Sequence, residues 1–260
     1  MFRNEMETEA IPERVYALCK LVEKTPASSK ELSEKMEPEY LKKDSATTYF
    51  SKYKSTAIEL GLISEADNQL SLSVDHSALE DMNSFRKYVN NKISEYSDGL
   101  FYKVTKLYFE KGIDIVKETA NVSELYNSFA LELGTHMVID NMRAWRFWVS
   151  FLGFGYLMGD NRSLFLPNAA DFIWDLIESA NFDKNVWIPM SSFIERIEPN
   201  SNIIIDSLSK NFNYGVSNGF RTLKNLGKID LFKESDAPDI WNLYSFQDGQ
   251  DVVTQIKILK

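Results

Sequence analysis

The sequence has little of what disulfides and metal sites require. It contains a single cysteine, Cys19, which excludes an internal disulfide, and apolar neighbours at helical spacing predict that this residue is buried. Its two histidines, His76 and His136, lie far apart and have no cysteine cluster beside them, so no zinc site of ordinary spacing is expected. We therefore predict that the protein holds no metal ion and no other cofactor.

Catalytic motifs are also missing. The sequence has no G-x-x-x-x-G-K-S/T loop, no G-x-S-x-G elbow and no H-E-x-x-H helix. The stretch "GFGYLMG" at 153–159 departs from the spacing of a phosphate-binding loop, and its large apolar residues are more typical of a strand and its turn. Asp171, Asp175 and Glu178 are predicted to share the solvated face of one helix. These observations favour a protein that is not an enzyme.

No hydrophobic run approaches the roughly 18 residues that a membrane span requires. The most apolar segment, 145–158, is shorter and contains Arg146. The first ten residues are acidic and lack the basic start and apolar stretch of a secretion signal. We therefore expect a cytoplasmic protein without membrane contact.

The sequence also has fewer basic than acidic residues. Lys and Arg number 29 against 38 Asp and Glu, which gives a formal net charge of −9. Because nucleic-acid binding depends on concentrated Lys and Arg, any contact with DNA must be local. The charge is patchy: residues 221–230 are net basic, whereas residues 171–180 are net acidic.

What the sequence does contain is one layout that occurs three times. An amphipathic helix runs into Leu-Gly at 60–61, 152–153 and 226–227, where glycine can take the left-handed conformation that ends a helix. A short apolar strand, a polar turn and a second strand follow each time. The three second strands are predicted in "LSLSV" (70–74), "LFL" (164–166) and "IWNLYSF" (240–246).

Two further helices precede each Leu-Gly, and the second of them has a serine near its start as a candidate N-cap: Ser28, Ser123 and Ser191. Three helices followed by a β-hairpin resemble the winged helix-turn-helix superfamily over nearly the whole chain. The resemblance implies a mainly α fold with small β-hairpins, built of tandem winged helix-turn-helix units packed together. The predicted units are a first winged helix (1–80), a connecting helix (81–99), a winged-helix-like middle unit (100–167) and a second winged helix (168–260).

In a winged helix the outer face of the third helix enters the major groove, while its back holds the core. The candidate contacts to double-stranded DNA are hydroxyl, amide and basic side chains predicted on or beside such faces. They are Lys42, Lys43, Thr48, Ser51, Lys52 and Ser55 in the first unit, and Ser217, Asn218, Arg221, Lys224 and Lys228 in the third. An ordinary solvated surface explains the first-unit lysines equally well.

Two functions stay open at this point. In the first, the chain is a DNA-associated protein whose first and third units touch duplex DNA. In the second, it is a scaffold or adaptor subunit whose winged helices bind partner proteins. Acidic predicted wings favour the second, because carboxylates repel phosphates; their acids are Glu65, Asp67, Glu234, Asp236 and Asp239. A transcriptional regulator is a further alternative, and the oligomeric state stays open.

A cytoplasmic chain of tandem winged helices without catalytic motifs is also similar to accessory proteins of bacterial DNA-modification and phage-defence islands, among them the DpdG family. The similarity lies in size and architecture, with "LGKIDL" (226–231) and "APDIWNL" (237–243) as suggestive stretches. It implies a non-enzymatic subunit of a DNA-modification or antiviral defence complex. It assigns no functional residue to this chain.

Overall fold

The computed structural model describes residues 1–3, 5–37, 49–118, 121–245 and 251–260. Helices dominate and small antiparallel sheets accompany them, which confirms the prediction of a mainly α fold with small hairpins. None of the helices within these ranges is long and apolar enough to span a bilayer. The helices are α1 (Pro12–Lys24), α2 (Ser29–Met36), α3 (Phe50–Glu59), α4 (Met82–Asn90), α5 (Leu100–Glu118), α6 (Tyr126–Leu133), α7 (Ile139–Phe151), α8 (Ala170–Ala180), α9 (Met190–Ile197) and α10 (Tyr214–Asn225).

Two small sheets have three strands each, and their strand order is the same. The strand that precedes the second helix lies beside the last strand, and the first strand of the hairpin lies at the far edge; the orders are β1-β3-β2 and β6-β10-β7. The middle hairpin, β4 with β5, has two strands within the described residues. The strands are β1 (Ala27–Ser28), β2 (Ile63–Ala66), β3 (Gln69–Leu72), β4 (Gly155–Met158), β5 (Leu164–Pro167), β6 (Trp187–Pro189), β7 (Ile229–Phe232), β8 (Trp241–Asn242), β9 (Val252–Val253) and β10 (Gln255–Ile258).

The prediction for the third hairpin is wrong in its second strand. β7 pairs antiparallel with β10, whereas the described part of the predicted strand at 240–246 supplies only β8, which pairs with β9. The physical reason is burial. Ile256 and Ile258 alternate inward along β10, while Trp241 turns into the core and stacks on Phe212 with 4.8 Å between ring centroids. The segment after β7 therefore serves the core rather than the hairpin.

All three predicted Leu-Gly helix ends are confirmed. Gly61, Gly153 and Gly227 have φ values of +67°, +80° and +62°, in the left-handed region. In each case the amide after the glycine donates to a carbonyl five residues back, which satisfies an acceptor that the helix end would leave open. These bonds run from Leu62 N to Ala57 O (3.0 Å), Phe154 N to Val149 O (3.1 Å) and Lys228 N to Leu223 O (3.0 Å).

Of the three predicted serine caps, only Ser28 is confirmed. Its hydroxyl accepts a hydrogen bond from the amide of Glu31 at 3.3 Å, and the Glu31 carboxylate accepts one from the Ser28 amide at 2.9 Å. This reciprocal pair is a capping box, which fixes the start of α2. Ser123 instead lies inside a 3₁₀ turn capped by Asn121, and Ser191 is the second residue of α9, which has no side-chain cap.

The buried apolar side chains form one continuous core that passes through all the predicted units. Phe2 illustrates how distant segments join: its ring lies 4.9 Å from the rings of Phe101 on α5 and Trp148 on α7, centroid to centroid. Cys19 is buried and free, as predicted, and burial raises the pKa of its thiol to about 12. Helices and hairpins therefore pack on one another rather than following each other on linkers.

A buried ion pair joins α4 to α8, and the prediction that Asp175 lies on a solvated face is wrong. Asp175 is fully buried, and Arg86 Nε and Nη2 donate to its two carboxylate oxygens at 2.7 and 2.9 Å. Asn90 Nδ2 donates to the same carboxylate at 2.8 Å. Burial raises the pKa of Asp175, because the cost of removing the charged carboxylate from water exceeds the stabilisation that these hydrogen bonds give it. Helical spacing does not reveal this burial, because it is α4 that covers this part of α8.

Replacing Arg86 by alanine is expected to lower the free energy of unfolding by about 3–5 kcal/mol at pH 7, because a buried carboxylate loses its cation. Arg86 lowers the pKa of Asp175, so its removal raises that pKa further and the variant takes up the proton more readily than the parent; the loss should therefore shrink as the pH falls towards 4. Urea unfolding at both pH values measures these losses.

Lys87→Ala is the matched control on the same helix. Lys87 pairs with Glu178 at 2.5 Å, but both side chains are exposed, so this variant should lose less than about 1 kcal/mol. Equal losses in the two variants would contradict a special role for the buried pair.

Candidate nucleic-acid interface

In the first unit, the outer face of α3 carries three of the predicted DNA contacts. Ser51, Lys52 and Ser55 are exposed together on one side of the helix, opposite the buried face that includes Phe50 and Tyr53. The helical spacing therefore places these three side chains correctly. The remaining first-unit candidates, Lys42, Lys43 and Thr48, lie outside the described residues.

The acidic N-terminal segment runs along this face of α3. The amide of Phe2 donates to the Glu59 carboxylate at 3.0 Å, and Glu7 forms an ion pair with Lys52, which raises the pKa of that lysine. A groove of about 360 Å³ lies between the segment and α3, and Glu5 lines it beside the serines. Carboxylates here compete with phosphate for Lys52, so the exposed face is electrostatically mixed.

In the third unit, α10 is enclosed by neighbouring elements. Two of its glycines sit where a side chain would collide with the middle of the chain. A Cβ on Gly215 would lie 2.4 Å from the Phe109 ring of α5, and one on Gly219 would lie 2.9 Å from backbone atoms of Ala169 and Ala170. These approaches are closer than ordinary van der Waals contact, so α10 is a packing helix along this side.

The prediction that Ser217 faces solvent is wrong. Its side chain is fully buried; the hydroxyl donates to the carbonyl of Phe212 at 3.2 Å and accepts from the amide of Tyr244 at 2.8 Å. Asn218 is partly buried, and its Nδ2 donates to the carbonyl of Pro167 at 3.2 Å. Both side chains tie α10 to other parts of the chain. Helical spacing cannot reveal this, because the segments that cover them are distant in sequence.

The three basic candidates of the third unit also have partners within the chain. Arg221 Nη2 donates to the Tyr244 carbonyl at 2.8 Å and lies 3.5 Å from Asp251 Oδ1, and partial burial lowers the pKa of Arg221. Lys224 Nζ lies 3.3 Å from Asp230 Oδ1. For Lys228, Nζ lies 4.2 Å from the centre of the Trp174 ring, a cation–π contact.

These partners hold the three cations with different strength. The Lys224 side chain is 40% exposed, so release from Asp230 costs less than about 1 kcal/mol. Release would also cost Lys224 its hydrogen bond to the Leu231 carbonyl at 3.3 Å. Arg221 is only 22% exposed and would lose its hydrogen bond to the Tyr244 carbonyl. Of these two cations, the more exposed Lys224 is the more easily released to a phosphate.

The acidic residues of the predicted wings divide into two groups. Glu65 pairs with Lys54 at 3.0 Å, and this contact lowers the pKa of Glu65. Asp67, Glu234 and Asp236 are exposed, so they keep a repulsive field around the hairpins. No cluster of three or more His, Cys, Asp and Glu side chains able to hold a metal ion occurs among the described residues.

Asp239 does not act as a wing residue, which corrects the prediction for it. Its carboxylate accepts hydrogen bonds from the Ser191 amide and from Lys210 Nζ, both at 2.9 Å, and from Trp241 Nε1 at 3.1 Å. Partial burial raises the pKa of Asp239, but the bonds from Lys210 and Ser191 outweigh it and lower the pKa to about 2. Asp239 therefore clamps the segment after β7 onto the start of α9.

A second groove was not predicted from the sequence. It has a volume of about 620 Å³, lies between α5 and residues 198–213, and is called here the α5 groove. Its two sides are about one hundred residues apart, and 198–213 contains little regular structure, so no periodic pattern indicates it. One signal was available: "IIIDSL" at 203–208 is unusually apolar for a connecting segment.

Gly219→Ala is expected to destabilise the protein by about 1–3 kcal/mol, because the added methyl must displace backbone at Ala169 and Ala170. This is a net loss, because the strain is expected to exceed the roughly 1 kcal/mol by which alanine favours a helix over glycine. Asn225→Ala, at an exposed position of α10, serves as the control and should stay within about 0.5 kcal/mol of the parent. Thermal unfolding compares them; a stabilised Gly219→Ala protein would rule out the close approach.

Asp239→Asn is expected to lower the free energy of unfolding by about 1–3 kcal/mol at pH 7, because charge-assisted bonds become neutral. The lowered pKa means that this stabilisation is fully present above the unfolded value near 4 and is lost as the pH falls towards 2. The difference between parent and variant should therefore shrink steadily between pH 4 and pH 2 in denaturant titrations. A difference that is as large at pH 2 as at pH 7 would contradict the clamp.

No protein-family model, curated protein or solved structure matches this chain. Its fold is therefore described from its own elements, as mainly α with small antiparallel sheets. Its function has to be inferred from the surfaces described above.

Proposed function

We propose that the chain is a non-enzymatic tandem winged-helix subunit that binds other proteins within an assembly that modifies DNA or defends against phage. The winged-helix assignment is supported by the shared order of the two three-stranded sheets, each built around a run of three helices. The same Leu-Gly helix end before each hairpin supports it further. The assembly is proposed from the resemblance to accessory proteins of DNA-modification and defence islands.

The observation that carries the protein-binding proposal is the engagement of α10 within the chain. A winged helix that reads duplex DNA presents the outer polar residues of its third helix to bases and phosphates. Here Ser217, Asn218 and Arg221 bond to carbonyls of the chain itself. A donor that is already satisfied gains little from a phosphate, because one hydrogen bond replaces another.

Apolar side chains are exposed on other surfaces. Leu131 is 84% exposed and Leu208 is 94% exposed. Trp187 and Phe232, at the two edges of the β6-β10-β7 sheet, are both exposed, and their ring centroids lie 5.4 Å apart. Paired aromatic rings in water are typical of protein-binding surfaces, where aromatic residues are enriched. These surfaces favour partners that are proteins.

Contact with DNA through α3 is a second candidate function, and a specific observation favours it. Ser51, Lys52 and Ser55 lie together on an exposed face of the helix. Lys52 would have to leave Glu7, and Glu5 would lie close to an approaching phosphate. Such binding would be weak and confined to low salt.

The decisive experiment is purification of the tagged full chain from the cells that produce it, with and without nuclease treatment. The proposal expects a stoichiometric protein partner that stays bound after nuclease, because the contact is between proteins. Loss of every partner on nuclease treatment, with the chain alone protecting DNA from cleavage, would overturn it.

Binding of the purified chain to a labelled duplex is expected to be no tighter than the weak end of non-specific contacts, with a Kd of about 10⁻⁴ M or above at physiological salt. Lys52→Glu and Lys224→Glu should change this binding no more than Lys117→Glu, a control at an exposed position of α5. Fluorescence anisotropy at several salt concentrations measures the affinity of each protein for the duplex. Tight binding that only Lys52→Glu or Lys224→Glu abolishes would favour DNA as the true ligand.

A further inference from the structure

The α5 groove has an apolar floor that belongs to the core. Phe109 of α5 and the run Ile203, Ile204 and Ile205 line it; Ile204 and Ile205 keep 5% and 4% of their surface exposed, and Phe109 and Ile203 are buried behind the groove surface. Because these residues are fixed in the core, the floor exists before any ligand arrives. The volume of about 620 Å³ is within the roughly 300–1,000 Å³ typical of sites for small or peptide-sized ligands.

Hydrogen bonds within the chain set the shape of the rim. The Leu208 amide donates to Asp206 Oδ1 at 3.0 Å, and Ser209 Oγ donates to the Asp206 carbonyl at 3.1 Å. Asn213 Nδ2 donates to the Ile204 carbonyl at 2.7 Å and fastens the segment to the start of α10. Leu208, the most exposed apolar side chain in the described chain, is thus held at the rim rather than folded inward. Such preorganisation reduces the entropy that binding costs.

The charge of the rim is mainly negative. Glu110, Glu198 and Asp206 supply three carboxylates, against the single ammonium of Lys106. Glu110, Asp206 and Lys106 are exposed, so the groove is open to solvent along its charged edge. A negative rim repels phosphate and attracts Lys or Arg. A ligand that matches both parts of the groove would place an apolar side chain on the floor and a Lys or Arg side chain beside it at the rim.

We propose that the α5 groove docks a short segment of a partner protein in which an apolar side chain is followed or preceded closely by Lys or Arg. The apolar side chain contacts the floor and Leu208, and the basic side chain lies between Asp206 and Glu110. This inference rests on the proposed function, because it names the surface by which the chain holds a protein partner. A nucleic acid does not fit, since three carboxylates face its phosphates.

The test uses the full chain and three fluorescein-labelled synthetic peptides. The first alternates Leu and Lys, the second has Glu in place of Lys, and the third has Ser in place of Leu. The first peptide should bind, and the other two should bind at least about tenfold more weakly, since each lacks one of the two required features. Fluorescence anisotropy measures all three. Equal binding of the Ser peptide would show charge attraction alone and would overturn the proposal.

Variants of the chain locate the site. Leu208→Asp and Glu110→Lys should each weaken the first peptide about tenfold, because one removes the apolar rim and the other reverses its charge. Val138→Asp, at the residue before α7, and Asp140→Lys on α7 are matched controls, since both positions are exposed and lie outside the groove. Thermal unfolding establishes that all four variants are folded. Unchanged binding in the groove variants, or equal weakening in the controls, would place the peptide elsewhere.

Purification of the native assembly separates failure of this inference from failure of the proposed function. If the parent chain keeps a nuclease-resistant partner and Leu208→Asp loses it while Val138→Asp does not, the groove is the docking surface. If all three chains keep the partner, the groove proposal fails and the protein-binding function stands. If even the parent chain keeps no protein partner, the proposed function itself fails.

Discussion

The close approach of α10 to the middle of the chain is the contact on which the remaining surfaces depend. It requires glycine at 215 and 219, because a Cβ at either position would overlap the Phe109 ring or the backbone before α8. With α10 held there, Asn213 at its start lines the α5 groove, and Asn218 reaches the end of β5. The packing that removes polar groups from a possible DNA surface therefore also builds one wall of the groove.

Features governed by neighbours in sequence could be predicted. The Leu-Gly helix ends depend on residues within one turn, and the capping box depends on Ser28 and Glu31, three residues apart. The buried face of α3 follows from helical periodicity alone. Such local rules act wherever the residues occur, so a single sequence is enough to recognise them.

Features governed by distant contacts could not be predicted. Asp175 has the spacing of a solvated residue, yet Arg86, eighty-nine residues earlier, reaches it from another helix. Ser217 has the spacing of an outer residue, yet the amide of Tyr244 covers it. The third-unit candidates on α10 were therefore assigned to an exposed face by helical spacing, a rule that takes no account of what packs against the helix. The exposure of the outer face of α3 was predicted correctly, because within the described ranges the thin N-terminal segment is what lies against it.

The helices that precede the three Leu-Gly ends, α3, α7 and α10, differ in how much surface they leave for a ligand, and this difference bears on function. α7 buries Trp145 and Trp148 and supports the central core, and α10 is enclosed by α5, β5 and α8. Among the described parts of these three helices, α3 keeps the most open polar face, and its outward-facing Lys52 is balanced by Glu7. A duplex reader needs several free cations, because each neutralised phosphate contributes separately to binding. Because two of these helices serve the packing of the chain, the described residues offer few such cations on them, whereas the exposed apolar side chains and the acidic rim of the α5 groove suit contacts between proteins.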